Sequence, residues 1–292
     1  MKFLVLLLVL SILPFEGAAQ YGRKKKESTE KGTIFLFWGY NRTHYTNSNI
    51  RFAGPGYDFT LNGAKAVDRP EPFSGDSYFN PRNITIPQFN VRVGYYYKKG
   101  WALSLGYDHF KYYLKSGNNV TLTGQIDPGV DTITNWSGTY TGQPVVTNFN
   151  TFHYENTNGM NYIRAELMRS YDIYKPRRGN GYFGITGNLG LSAGAIMSVN
   201  DFNFAGQFDR VTYSISGYGL SAHSGIRFEF FKHLFLQADL NTGFVHQLKV
   251  RTRPNDASSF ARQTLGFIEY NAVIGGLFYL KTKKKCDDCP SW

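Results

Sequence analysis

The chain has 292 residues and a formal net charge of +11, with 17% aromatic and only 18% charged residues. That is the reverse of the aromatic-poor, charge-rich composition that keeps a chain disordered. Its two cysteines, Cys286 and Cys289, both lie close to the C-terminus, so no disulfide framework organises a core.

The chain opens on Lys2, an apolar run from Phe3 to Leu13 and small residues at Gly17, Ala18 and Ala19. A charged start, a short apolar core and a small-residue cleavage site mark a secretory signal over residues 1–19. The run is shorter than the roughly 20 apolar residues that a spanning helix needs. A basic segment follows at 20–31. From residue 32 to 281 the dominant pattern has a period of two, which sends successive side chains to opposite faces of a strand.

Eight segments carry it. The first runs from Ile34 to Tyr45. The second sets Phe89, Val91, Val93, Tyr95 and Tyr97 against Gln88, Asn90, Arg92 and Gly94. The third sets Trp101, Leu103, Leu105 and Tyr107 against Ala102, Ser104, Gly106 and Asp108. The fourth, Tyr162 to Ile173, puts Arg169 on its apolar side, which predicts a bulge or a position beyond the apolar zone. The fifth alternates from Phe183 to Met197, far longer than the five or six residues of an average strand. The sixth carries His223, Arg227 and Glu229 on its polar face, the seventh Gln237, Asp239 and Asn241, and the eighth Glu269 and Asn271. Alternation of this length suits a tilted strand crossing a bilayer, where about 9–11 residues span the hydrocarbon.

The links fall at 46–83, 98–100, 115–156, 175–180, 200–213, 231–233 and 251–262, long and short in strict alternation. Short turns on one side and long loops on the other characterise outer-membrane barrels. An even strand count then places both termini in the periplasm and the long loops outside the cell. Basic residues crowd the tails and short turns, as at Arg23, Lys24, Lys98, Lys99, Lys175 and Lys283, a distribution favourable beside anionic lipid.

Signal, eight amphipathic strands, alternating link lengths and aromatic flanks together resemble the small eight-stranded outer-membrane barrels of the OmpA/OmpX type. The resemblance spans essentially the whole mature chain and is architectural. It implies an all-β, eight-stranded antiparallel transmembrane barrel of up-and-down topology in a bacterial outer membrane, assembled by the barrel-assembly machinery. Many such barrels end on an aromatic residue. Here Phe278 and Tyr279 precede a tail, 282–292, expected in the periplasm.

The inward charges are Arg92, Asp108, Arg164, Glu166, His223, Arg227, Glu229, Asp239 and Glu269. An eight-stranded barrel is just wide enough for side chains to fill it, so these should form an interleaved polar network rather than a channel. No cofactor and no metal are expected, because no His cluster has ligand spacing. Nucleic acid is excluded as a partner by the secretion signal and the lack of any recognition motif. Aromatic residues in the first long loop (Phe52, Tyr57, Phe59, Phe73 and Tyr78) and Trp136 in the second are the candidate contacts for an extracellular ligand. Packing together as a lid on the barrel is the alternative for the same rings. Cys286 and Cys289 are read as a tail disulfide or as free thiols.

The function expected is structural or adhesive, through the long loops. The alternatives are a deacylase-like enzyme acting on outer-leaflet lipid and a small pore. Against the enzyme stands the parity of His223-Ser224, which sends the two side chains to opposite faces, and the want of a serine beside His246.

Overall fold

The computed structural model describes residues 27–83, 85–175 and 183–280. The leader, the tail cysteines and the basic clusters at both ends lie outside the described residues. In chain order the elements are β1 (Thr33–Tyr45), β2 (Ser48–Gly54), β3 (Tyr57–Ala64), β4 (Ala66–Val67), α1 (Gly75–Phe79), β5 (Phe89–Lys98), β6 (Trp101–Leu114), β7 (Asn119–Ile126), β8 (Gly138–Val146), β9 (His153–Tyr174), β10 (Phe183–Phe204), β11 (Gln207–Phe230), β12 (Leu234–Arg253) and β13 (Asp256–Tyr279).

Eight of these close into an antiparallel ring, β1-β5-β6-β9-β10-β11-β12-β13 and back to β1. The closing seam is long and in register from Thr33 opposite Tyr279 to Tyr45 opposite Phe267. Closure removes the sheet edge, so the ring has no row of unpaired backbone groups. All eight segments read from the alternation are ring strands, and consecutive ring strands are neighbours, as an up-and-down barrel requires.

Parity holds through the lower part of the wall. On β12, Leu234, Leu236, Leu240 and Phe244 face out, while Gln237 and Asn241 are buried inside. The outward residues of neighbouring strands, Leu189 and Leu191 on β10, Ile226 and Phe228 on β11, Ile274 and Phe278 on β13, complete an apolar belt. The exposed apolar positions from Leu234 to Phe244 cover a span of the length that a tilted strand needs to cross hydrocarbon. Arg169 lies at the lower rim, not at a bulge: its guanidinium donates to the Lys99 carbonyl at 3.1 Å and stacks near Trp101 and Tyr171.

Two of the expected long loops do not exist as loops. Links 200–213 and 251–262 are continuous strand, and the chain turns only at Ala205-Gly206 and Pro254-Asn255. The reason is a change in what the inner face touches. Along β13 the inward residues are Leu277, Val273, Asn271 and Glu269, then Phe267, Leu265 and Ala261, with Arg262 and Thr264 outside. The strand continues unbroken, but above Ile268 its hydrophobic face changes sides. The inner wall there faces an aromatic core instead of a polar lumen.

The upper wall shares that core with the other two long links, expected at 46–83 and 115–156 and found between strands at 46–88 and 115–152. The first makes the β2–β3 hairpin, whose turn at Pro55-Gly56 uses the positive φ of Gly56, 74°. The hairpin does not stand free. β2 pairs with the upper part of β13, β3 pairs with β7, and β7 with β8, so the barrel wall extends into a further sheet. Ser74 caps α1 by accepting from the Ser77 amide at 3.0 Å, the usual service of an N-cap serine.

Candidate functional site

The interior has three levels. At the lower end Phe35, Phe37, Tyr96, Ala102, Met168, Phe235, Val273 and Leu277 make a buried apolar plug. Glycine makes room for it: a Cβ on Gly94 would sit 2.1 Å from the Phe35 ring. Small residues facing large ones are how a narrow barrel is filled. Arg227 passes through this level, its guanidinium 5.1 Å from the Phe35 ring and 4.2 Å from Phe235.

The middle level is charged. Asp108, fully buried, accepts from Arg92 Nη1 and Nη2 at 2.7 and 3.0 Å, and Arg164 Nε lies 3.0 Å from its Oδ2. Glu166 bridges onward. His223 Nδ1 is 3.2 Å from Glu166, the Ser104 hydroxyl donates to it at 3.1 Å, and Arg92 Nε stands 3.8 Å away. Arg164 also donates to the hydroxyls of Ser192 and Ser221 at 3.1 and 2.9 Å. Gly106 leaves the space in which Arg92 lies.

The expected network is thus two arrangements. Arg92, Asp108, Arg164, Glu166 and His223 interleave opposite charges. Arg227, Glu229, Asp239 and Glu269 instead use neutral partners. Arg227 Nε donates to Gln237 Oε1 at 2.7 Å, Gln237 Nε2 donates to Asp239 at 2.9 and 2.8 Å, Thr186 donates to Glu229 at 2.8 Å, and Asn241 donates to Glu269 at 2.6 Å. Among these groups lies a cavity lined by Asn90, Arg92, Glu166, His223, Asp239 and Asn271.

The upper level is the aromatic cap. Phe52 sits at its hub, 5.5 Å from Phe59, 5.2 Å from Phe152, 5.3 Å from Tyr154 and 5.4 Å from Phe202, centroid to centroid. Tyr57 and Trp136 are buried in the same cluster. Tyr78 is buried beside Tyr40, with its hydroxyl on the Glu71 carbonyl. Of the six aromatic residues expected to meet a ligand, only Phe73 is open to solvent, 77% exposed. Phe52, Tyr57, Phe59 and Trp136 sit in the lid arrangement, while Tyr78 packs against Tyr40 and Phe73, apart from that cluster.

Several contributors to the cap fell inside segments read as links. Phe202, Phe204 and Arg253 are examples. Arg253 donates to the Phe204 and Gln207 carbonyls, each at 2.8 Å, and pairs with Asp209 at 2.7 Å, tying the top of β12 to the β10–β11 turn. The Phe-x-Phe spacing at 202 and 204 was the available signal, since it keeps the period of two beyond residue 200.

At the base of the cap, the His153 imidazole lies 3.0 Å from Glu155, and Arg69 reaches the same carboxylate at 3.4 Å. Burial by itself would raise the Glu155 pKa. The bond to His153 and the Arg69 charge outweigh it and hold the group below its ordinary 4.5. A depressed carboxylate contributes stability that is complete above its unfolded pKa and is lost as the pH falls through the folded one. Cap stability should therefore fall below about pH 4.5, and Glu155→Gln should flatten that part of the profile. Protease accessibility of the 115–152 connection, followed from pH 6 to pH 3 with an acid-active protease, measures it. An unchanged profile in the variant would remove Glu155 from the account.

The hydrolytic constellations stay apart. His223 points into the lumen and Ser224 to the outer wall. His246 is hydrogen-bonded to Thr264.

No protein-family model matches the sequence, and no curated protein matches it. Among solved structures the chain is similar to the outer membrane protein AlkL, determined in lipid bilayers, with 10% identity over 92% of this chain and 100% of that one at a TM-score of 0.40. It is also similar to Neisserial surface protein A, with 10% identity over 85% and 98% at 0.37. A third is OprG of Pseudomonas aeruginosa, with 12% identity over 87% and 100% at 0.36. The fold assignment itself rests on the hydrogen-bonded ring. The chain is an eight-stranded antiparallel β-barrel of up-and-down order, the architecture of small outer-membrane barrels.

Proposed function

We propose that the chain spans a bacterial outer membrane as a closed, filled barrel and works through the folded surface that its two long connections build, in a structural or adhesive role. The apolar belt supports the membrane setting: a ring of exposed Leu, Ile and Phe side chains this extensive is far beyond what a soluble monomer leaves in water. Three successive packed levels support a barrier rather than a conduit. The long connections belong outside the cell and the termini in the periplasm, as the usual asymmetry of such barrels has it.

The observation that carries the reading is the union of β2, β3, β7 and β8 with the wall at β13 over one aromatic core. Loops that only close a pore need no such sheet, whereas a presented surface needs a rigid support. Two measurements test it. Purified protein in planar bilayers should give no stepwise current, and regular conductance steps would overturn the filled-barrel half. Bacteria displaying the full chain should adhere to host-matrix or glycan surfaces more than bacteria displaying a barrel with 46–88 and 115–152 cut to short links. Equal adhesion, with both proteins folded, would overturn the other half.

A further inference from the structure

High on the outer wall, three cationic side chains gather around one ring. The Arg51 guanidinium lies 5.9 Å, the Lys249 ammonium 5.6 Å and the Arg262 guanidinium 5.8 Å from the centroid of Phe260. They come from adjoining strands: Arg262 on β13 is opposite Arg51 on β2, and Phe260 is opposite Arg251 on β12. Arg51 is spoken for, since its Nε donates to Asp58 Oδ1 at 2.7 Å within a two-point ion pair. Lys249 and Arg262 are exposed, and among the described residues neither has a carboxylate at ion-pair distance. Arg262 Nε instead donates to the Leu248 carbonyl at 2.9 Å. Two cations gathered at one ring with no carboxylate at ion-pair distance favour an anion beside them.

The surroundings indicate which anion. Leu248 is 44% and Ile215 83% exposed. On β11 and β12 exposed apolar positions therefore recur above the His246–Thr264 pair, up to the foot of the cationic cluster. Apolar wall below and cations immediately above is the sequence of environments that a lipid presents in reverse, acyl chain and then phosphate. Arginine and lysine at headgroup height are the ordinary partners of such phosphates.

We propose that Lys249 and Arg262 bind a phosphate group of a lipid in the leaflet on the side of the long connections, with an acyl chain lying against Leu248 and Ile215. This rests on the membrane-spanning reading above. The lipid is the committed source of the phosphate; a free phosphate ion or a sulfated polysaccharide would lack any use for the apolar half of the site.

Native mass spectrometry of the full chain released from detergent tests it, with diphosphoryl lipid A as the probe and its dephosphorylated form as control. The wild-type chain should retain the diphosphoryl lipid, and the Lys249→Gln, Arg262→Gln double variant should retain at least tenfold less. Equal retention by the variant, or equal retention of the dephosphorylated lipid, would overturn the proposal. So would displacement of the lipid by equimolar inorganic phosphate, or binding of a heparin-type polysaccharide in its place with the same dependence on the two residues. Heat-modifiable gel mobility shows that the variant is folded, because both substitutions are on the outer surface and outside the ring's packing. A wild-type chain that stays monodisperse without detergent would instead defeat the membrane reading, a failure distinct from loss of lipid contrast in a detergent-requiring barrel.

Discussion

Asp108→Ala should destabilise the barrel by about 3–5 kcal/mol, the cost typical of breaking a buried ion pair from one side. The cause is stoichiometric. Among the described residues Asp108 is the only carboxylate within 3.0 Å of both Arg92 and Arg164, hydrogen-bonded to the first and ion-paired with the second. Without it, the two guanidiniums remain enclosed with Glu166 at 3.8 and 4.0 Å, and Glu166 is already engaged with His223 and Ser104. Water cannot easily compensate, since the apolar plug closes one end of the lumen and the aromatic cap the other. Asp108→Asn should cost less, because its amide oxygen still accepts from one arginine. Replacing Asp108, Arg92 and Arg164 together by apolar residues of similar volume should recover much of the loss, as the penalty lies in stranded charge and not in the pair itself. Guanidinium unfolding in lipid vesicles, followed by tryptophan fluorescence, orders the three variants. An Asp108→Ala chain within 1 kcal/mol of wild type would show that the charged level is hydrated and carries little of the barrel's stability.

This level was also the part most legible in the sequence, for a physical reason. Inside an apolar belt, parity alone decides which side chains face the lumen, so Arg92, Asp108, Arg164, Glu166 and His223 could be placed from their position in the alternation. Their partners could not. The pairing of Arg92 with Asp108 follows from register across β5 and β6, where Arg92 is opposite Gly106 and Asn90 opposite Asp108. Nothing local in the sequence encodes that offset. Arg227 shows the same limit in another way: charge suggests a carboxylate partner, but geometry gives it Gln237 and two aromatic faces.

The upper half was hidden by an assumption that the outer face is always the apolar one. It holds while lipid is the outer medium. Above the belt the outer medium is polar, first headgroup and then water, and the inner one is packed protein, so Phe267, Leu265, Phe202 and Phe204 face in while Arg262 and Thr264 face out. A scan that fixes the sign of the alternation sees the pattern fail near residues 200 and 262 and ends the strand there. Following the period regardless of sign would have carried β10 to Phe204 and β13 back past Phe260. The β2–β13 pairing joins residues some two hundred positions apart, beyond the reach of any local pattern.

The cap gives the second large effect. Phe52 touches four other rings and is fully buried, so Phe52→Ala should cost about 3–5 kcal/mol, the range for emptying a core phenylalanine site. Phe73→Ala, at a ring 77% exposed, should change stability by no more than about 0.5 kcal/mol. The larger loss should be local. The ring of eight strands closes through β1 and β13 below the cap, and none of the hydrogen bonds across that seam depends on Phe52. Opening of the connections should then precede unfolding of the barrel, making two transitions out of one. Hydrogen exchange distinguishes the cases: amides of β3 and β7 should lose protection in Phe52→Ala while those of β12 opposite β13 keep theirs. Uniform loss along every strand would mean that cap and barrel unfold together. In that case the surface built by the connections is not a separable module on a rigid support but a part of the barrel's own folding unit, and shortening the connections would endanger the ring itself.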